Sequence, residues 1–173
     1  MRYPHPVLCI RDETAADVTA IEQVTVAAFR GAPYSSQTEH LIVRALRDAE
    51  ALAISLVASE DDIVVGHVAI SPVSISDGAT GWFGLGPVSV APERQRCGIG
   101  SRLVEDALGR LRLRGAAGCV VLGDPGYYGR FGFTPAESLV LADVPPEFFQ
   151  ARAFGASRPK GLVAYHAAFH AQR

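Results

Sequence analysis

The segment Gly86-Pro87-Val88-Ser89-Val90-Ala91-Pro92-Glu93-Arg94-Gln95-Arg96-Cys97-Gly98-Ile99-Gly100-Ser101 constrains this chain more than any other. Val88 and Val90 are β-branched residues in alternation, as a strand requires, and Pro92 has no N–H to give to a ladder, which ends it. From Ser101 onward Leu103, Val104, Ala107, Leu108 and Leu111 recur at helical spacing, with Arg102, Glu105, Asp106 and Arg110 between them. The segment reads as a strand, a basic glycine-bearing loop and the start of an amphipathic helix. A helix N-terminus leaves backbone N–H groups unpaired and carries partial positive charge, so it suits phosphate. Gly98 and Gly100 put no Cβ between that backbone and a ligand. The place suits an anion, and best a pyrophosphate.

A dinucleotide-binding loop needs G-x-G-x-x-G, but three residues after Gly100 stands Leu103. A nucleoside-triphosphate loop needs Gly-Lys-Ser/Thr, which occurs nowhere in the chain. What remains is Gln95-x-x-Gly98-x-Gly100 behind a Val-x-Val strand, which resembles the acetyl-coenzyme A signature of the GNAT superfamily of N-acetyltransferases. A second element strengthens the likeness. Cys119-Val120-Val121-Leu122-Gly123-Asp124-Pro125 reads as a buried strand closed by a turn, and Tyr127-Tyr128-Gly129-Arg130-Phe131-Gly132-Phe133 follows it. This run resembles the Y-x-x-x-G-F element after the fifth strand of the same superfamily, in the right order and at the right separation. Leu-Gly-Pro, Gly-Ile-Gly, Leu-Gly-Asp-Pro and Tyr-Tyr-Gly-Arg-Phe-Gly-Phe together resemble one branch, the YhbS-like predicted acetyltransferases. The likeness is dense over residues 63–135 and thinner outside them.

Around these motifs the periodicities predict an α+β chain forming one domain over residues 1–173. A first strand covers 7–11, and Thr14 caps a helix running through Ala15, Val18, Ile21, Val24 and Phe29. A loop at 31–35 leads to a second helix with Leu41, Ile42, Ala45 and Leu46 as its apolar stripe. Residues 52–58 and 63–73 read as antiparallel strands joined across Glu60-Asp61-Asp62. The fourth strand, 82–91, is interrupted at Gly86-Pro87, where a bulge or splay is expected. A helix over 99–114 and a strand over 118–122 complete a β-α-β unit. Tyr127 to Arg130 make a helical turn, 144–149 a short helix or loop, and 162–169 a final strand. The resemblance implies a GNAT-type mixed, mostly antiparallel sheet, with a parallel strand pair splayed like a V around a central helix.

The resemblance also implies roles. Gln95, Arg96 and the backbone through Cys97, Gly98, Ile99, Gly100 and Ser101 would hold the pyrophosphate of acetyl-CoA, with Tyr127 among the cofactor contacts. The pantetheine arm would pair with the fourth strand, and the N–H groups near Val88, Ser89 and Val90 would polarise the thioester carbonyl. Tyr128 would protonate the departing sulfur; its other reading is packing beside Tyr127 and Phe131. Many relatives carry a glutamate on the fourth strand as base, but Trp82-Phe83-Gly84-Leu85-Gly86-Pro87-Val88-Ser89-Val90 has no carboxylate. A lysine-like amine, with a pKa of about 10.4, costs about 4–5 kcal/mol to present neutral at pH 7. Glu39 on the second helix is the first choice to take that proton, with His67, Asp124 or a water chain as alternatives.

The expected acceptor is a small-molecule or peptide amine, with segments 31–40 and 142–160 shaping its pocket. The competing class is a non-catalytic acyl-CoA-binding or regulatory module. The chain has 173 residues, 49% hydrophobic and 20% charged, which is globular, and a formal charge of −2 argues against nucleic acid as partner. No apolar run is long enough to span a membrane, and Met1-Arg2-Tyr3-Pro4-His5-Pro6 leads into no signal-peptide core, so a cytoplasmic location is expected. Cys9, Cys97 and Cys119 are odd in number and have no partnering His motif, so neither a disulfide framework nor a metal site is expected. Relatives of the superfamily often form dimers, and a homodimer is an open expectation.

Overall fold

The computed structural model describes residues 4–172; residues 1–3, part of the N-terminal stretch read above as lacking a signal peptide, and residue 173 lie outside it. In chain order the elements are β1 (Leu8–Asp12), α1 (Val18–Phe29), α2 (Glu39–Asp48), β2 (Ile54–Glu60), β3 (Ile63–Ile75), β4 (Trp82–Val90) and α3 (Ile99–Leu113). They continue as β5 (Gly118–Leu122), α4 (Pro125–Tyr128), β6 (Thr134–Pro135), β7 (Leu139–Val140), β8 (Phe149–Ala153) and β9 (Gly161–Tyr165).

The first four strands are successive antiparallel neighbours. Asp61 and Asp62, at φ 48° and 65°, make the two-residue turn between β2 and β3, in the left-handed region that short polar side chains tolerate best. β5 lies parallel to β4, with α3 as the crossover, and β8 then pairs with β5 along its whole length. The sheet runs β1-β2-β3-β4-β5-β8-β6, while the far end of β3 pairs with β9 and β9 with β7. This is the mixed, mostly antiparallel architecture that the sequence predicts, with one parallel pair at its centre.

Both faces of the sheet are covered, which is why β2 is buried at nearly every position. Alternation divides the core: Leu56 packs with Leu103, Val104, Ala107, Leu108 and Leu111 of α3, whereas Val57 packs with Ile21 of α1 and Val43 of α2. Arg11 holds the start of the first helical segment, donating to both carboxylate oxygens of Asp17 at 2.7 and 3.0 Å. Those bonds keep the Asp17 carboxyl well below the usual carboxylate range. The carboxylate also accepts the Thr14 N–H at 2.7 Å, so Thr14 stands at a helix start as expected.

The interruption of β4 is a β-bulge. Val88 faces Val68 and Leu85 faces Ile70, so Gly86 and Pro87 together oppose Ala69. Gly86 has φ 130°, and the Gly86–Pro87 peptide is cis. Pairing of β4 with β5 runs from Trp82↔Gly118 to Leu85↔Val121 and stops there. Beyond the bulge the parallel strands part.

Three features differ from expectation. Residues 144–149 hold a 3-10 turn (Pro146–Phe148), in keeping with the short helix or loop expected, but it is followed by β8, a strand that was not expected, without β-branched residues, which exists because β5 offers it a full ladder and Gln150 donates to the Gly123 carbonyl at 3.1 Å. The final strand ends at Tyr165, because the His166 ring accepts the Ala168 N–H at 3.0 Å and starts a 3-10 turn. On α2 Ile42 and Leu46 are buried with Ala45 packed half-buried beside them, as expected, but Val43 is buried too and Leu41 belongs to no core cluster.

The root of the parallel pair depends on Gly118. A Cβ there would sit 2.4 Å from the Trp82 ring and 2.8 Å from the Arg152 carbonyl oxygen, which belongs to the β8 ladder and cannot yield. Gly118→Ala is expected to lower stability by about 1–3 kcal/mol, the usual cost of overpacking. Urea denaturation checks this; an unchanged midpoint and slope contradict it.

Candidate active site

The parting of β4 and β5 opens a cleft of about 590 Å³, and the residues beyond the bulge form its wall. Val88 and Val90 face the cleft, whereas Ser89, on the opposite face of the strand, is buried with its hydroxyl 3.3 Å from the Thr25 hydroxyl. Ser89 lines neither cavity.

The basic loop closes one end. Arg94 donates through Nε to Glu60 at 2.8 Å and Gln95 donates through Nε2 to the Val90 carbonyl at 3.0 Å, which ties the loop to strands on both sides. Arg96, at φ 61°, and Gly98, at φ 83°, turn the chain into α3. No side chain caps this helix and no acid stands in its first turn, so the protein supplies no anion of its own to these N–H groups. Gln95, Arg96, Gly98, Gly100 and Ser101 line the cleft. Cys97 and Ile99 do not: the Cys97 thiol is exposed, 3.5 Å from the Gln95 carbonyl oxygen, and the Ile99 side chain is buried in the core. Gly100 is needed for space, since a Cβ there would lie 3.0 Å from the Tyr127 hydroxyl and 3.6 Å from Val90.

The opposite wall is α4. Asp124 begins it, accepting the Gly126 N–H at 2.9 Å, and Pro125 fills the first helical position. This capping work is the role of Asp124; it lines neither cavity. Tyr127 and Tyr128 meet edge to face at 5.0 Å, and the Tyr128 ring lies where a Cβ on Gly123 would be 2.5 Å away. Burial, with a smaller contribution from Tyr127, pushes the Tyr128 phenol up to about 12. It is therefore a proton donor throughout the neutral range. Arg130, which the motif contains but sequence reasoning left without a role, stacks its guanidinium 4.4 Å from the Tyr127 ring centre and joins the cleft wall.

A second cavity of about 640 Å³ adjoins the first. Phe29, Val88 and Tyr128 line both. Glu39, the first residue of α2, lines the second cavity with one carboxylate oxygen accepting the Ser35 hydroxyl at 2.5 Å and the other buried without a hydrogen-bond partner among the described residues. Tyr128 and Glu39, the two residues expected to handle protons, thus border one space. His67 does not reach it. His67 is fully buried in β3 with Nε2 2.8 Å from the Ser55 hydroxyl, and burial, helped by Arg47, pushes its pKa down to about 3. The anticipated segments 31–40 and 142–160 contribute Glu39, Ala142 and Asp143. Leu141, Tyr165, Phe169 and His170 join them without having been expected, and no local motif marks them.

A protein-family model described as "Acetyltransferase (GNAT) domain" matches residues 9–136. This chain is a GNAT acetyltransferase. It is 35% identical over 127 residues to the "Uncharacterized N-acetyltransferase YhbS" of Escherichia coli K12, covering 73% of each chain. Among solved structures it is similar to a GNAT family acetyltransferase from Brucella melitensis in complex with acetyl-CoA, at 53% identity and TM-score 0.85, covering 95% of this chain and 99% of that one. It is also similar to Escherichia coli YhbS in complex with CoA, at 31% identity and TM-score 0.87, covering 99% and 96%. The likeness to the YhbS-like branch therefore extends over nearly the whole of this GNAT chain. Among the described residues no helix is long and apolar enough to cross a membrane, and no group of three His, Cys, Asp or Glu could hold a metal ion.

Two outcomes follow for these residues. Gly100→Val is expected to weaken acetyl-CoA binding at least ~10-fold, about 1.4 kcal/mol, in a protein that still folds. Calorimetry giving wild-type affinity would remove the helix start from the site. His67, whose folded pKa of about 3 lies below its ordinary 6.5, makes the unfolded chain bind the extra proton between those values. Stability is therefore expected to fall as pH drops from 6.5 toward 3, by up to about 1.4 kcal/mol per pH unit from this group. Denaturation of His67→Gln against wild type at successive pH values checks this, since the variant lacks that component.

Proposed function

We propose that the protein moves an acetyl group from acetyl-CoA to a primary amine of a small molecule or peptide, by direct attack in a ternary complex. The observation that carries this reading is the junction of the two cavities at Val88 and Tyr128. One cavity ends in an uncapped, glycine-bearing helix start; the other contains a carboxylate. A donor thioester and an acceptor amine held on the two sides of that junction would need little more than alignment, because a thioester is already activated. The acetyl-CoA and CoA of the two similar structures support the first half of the assignment.

In this reading Gln95, Arg96 and the amides from Gly98 to Ser101 hold the pyrophosphate, with Tyr127 and Arg130 beside it. Backbone N–H groups of Val88 to Val90 beyond the bulge, which β5 no longer flanks, polarise the thioester carbonyl. Glu39 receives the acceptor's ammonium proton. The amine nitrogen then bonds to the carbonyl carbon, the carbon–sulfur bond breaks, and Tyr128 meets the departing sulfur. A phenol near 12 cannot simply hand its proton to a thiolate of pKa about 8.5. Tyr128 therefore donates a hydrogen bond to the sulfur and completes the transfer as the new amide nitrogen sheds its own proton. The enzyme reading is favoured over a non-catalytic acyl-CoA module because Tyr128 lines both cavities.

Release of free CoA thiol in the presence of amines tests the assignment. Tyr128→Phe is expected to reduce the rate about 10²-fold, the low end for a general acid because a thiolate leaves readily, with acetyl-CoA affinity unchanged. Tyr127→Phe is expected to leave the rate within a few-fold and to act on affinity instead. Equal losses in the two variants, or full activity of Tyr128→Phe across the pH range, contradict the role given to Tyr128.

A further inference from the structure

The second cavity carries information about the acceptor that the family membership leaves open. Its walls come from five parts of the chain: Phe29 at the end of α1, Ile42 of α2, Pro87 of the bulge, Leu141 of the loop after β7, and Val163 and Phe169 of the C-terminal region. Among the described residues no lysine or arginine lines it. An acceptor carboxylate, phosphate or sulfate would meet no fixed cation among those residues, only the exposed imidazole of His170.

Among the described residues the carboxylates lining it are Glu39 and Asp143, and the one imidazole is that of His170, which is exposed. Glu39 is the inner carboxylate, with one oxygen committed to Ser35 and the other buried without a partner among the described residues, an arrangement completed by a cationic N–H donor. Asp143 lines the cavity but is exposed, where pairing with a second cation is screened by water and contributes little. Between these two carboxylates the lining is largely carbon.

Resting on the acetyl-transfer reading above, we propose that the acceptor is a small primary monoamine with an apolar alkyl or arylalkyl body and no anionic group. Its ammonium meets Glu39 and its carbon body fills the cavity between Phe29, Leu141 and Phe169. Transfer balances within that pair. The ammonium proton passes to Glu39, the carbon–nitrogen bond forms as the carbon–sulfur bond breaks, the second proton lost by nitrogen ends on the sulfur by way of the Tyr128 hydroxyl, and the products are a neutral amide and CoA thiol. The neutral amide no longer pairs with Glu39, which favours its release.

The experiment is a kcat/KM series with saturating acetyl-CoA and 2-phenylethylamine, hexylamine, putrescine, glutamate and a peptide with amino-terminal phenylalanine. The first two are expected to exceed putrescine and glutamate by at least ~100-fold, and Glu39→Gln to raise the KM for 2-phenylethylamine at least ~10-fold with unchanged acetyl-CoA affinity. Glutamate or putrescine within tenfold of the apolar amines overturns the substrate class, as does the peptide surpassing them. Acetyl-CoA binding without thiol release for any amine overturns the transfer reading itself, a distinguishable failure. A second variant guards the result. Ala164 is exposed and lines the cavity, so Ala164→Arg is expected to shift the ratio of glutamate to 2-phenylethylamine at least ~10-fold toward glutamate. An unchanged ratio in a variant that still binds acetyl-CoA removes this cavity as the acceptor site.

Discussion

The structure turns on a mismatch of one residue. Between Leu85 and Val88 the fourth strand uses two residues where β3 uses one, and at that point it leaves β5. A continuous parallel pair would spend its N–H and C=O groups on its neighbour and leave no room between strands. By parting, β4 presents a free backbone edge, and the gap behind it becomes the meeting point of two cavities. The remaining architecture keeps this opening from collapsing. Trp82 against Gly118 holds the root of the pair, β8 gives the far side of β5 a partner, and α3 fills the face beneath.

Polar groups left unsatisfied by the protein mark the two ends of the path. At one end lies the start of α3, without a capping side chain or an acid in its first turn; at the other, an oxygen of Glu39 without a donor. Two charges nearer the turns are committed, Arg94 to Glu60 and Arg11 to Asp17, each fixing a chain turn. Tyr128 lies between the ends, its burial making the phenol a stable donor instead of an anion.

Legibility followed locality. Gln95 to Ser101 and Tyr127 to Phe133 are contiguous, and their conformation depends on backbone geometry that glycine and proline announce, so the loop, the helix start behind it and the central β-α-β unit were readable in advance. Residues 118–122 form the strand predicted for them. β8 was missed because Phe149-Gln150-Ala151-Arg152-Ala153 has no strand preference of its own and takes its form from β5. The acceptor side was harder for the same reason. Phe29, Leu141, Tyr165 and Phe169 look like ordinary core residues, and only the tertiary fold brings them to one wall. His67 shows the converse: a residue type suited to catalysis, buried in a strand with Ser55 as its partner.

The α1–α2 connection is held by bonds whose ends, Phe29 and Glu39, both line the second cavity. Gln37 donates to the Phe29 carbonyl at 2.6 Å, and Ser35 donates to Glu39 at 2.5 Å. Ala32 of that connection and Phe29 also line the cleft at the start of α3, so drift there would be felt on both sides of Tyr128, whereas the stretch after β7 borders the second cavity alone. A lineage built this way can diversify most freely through that later stretch, and a designer reshaping the second cavity has the same segment to randomise.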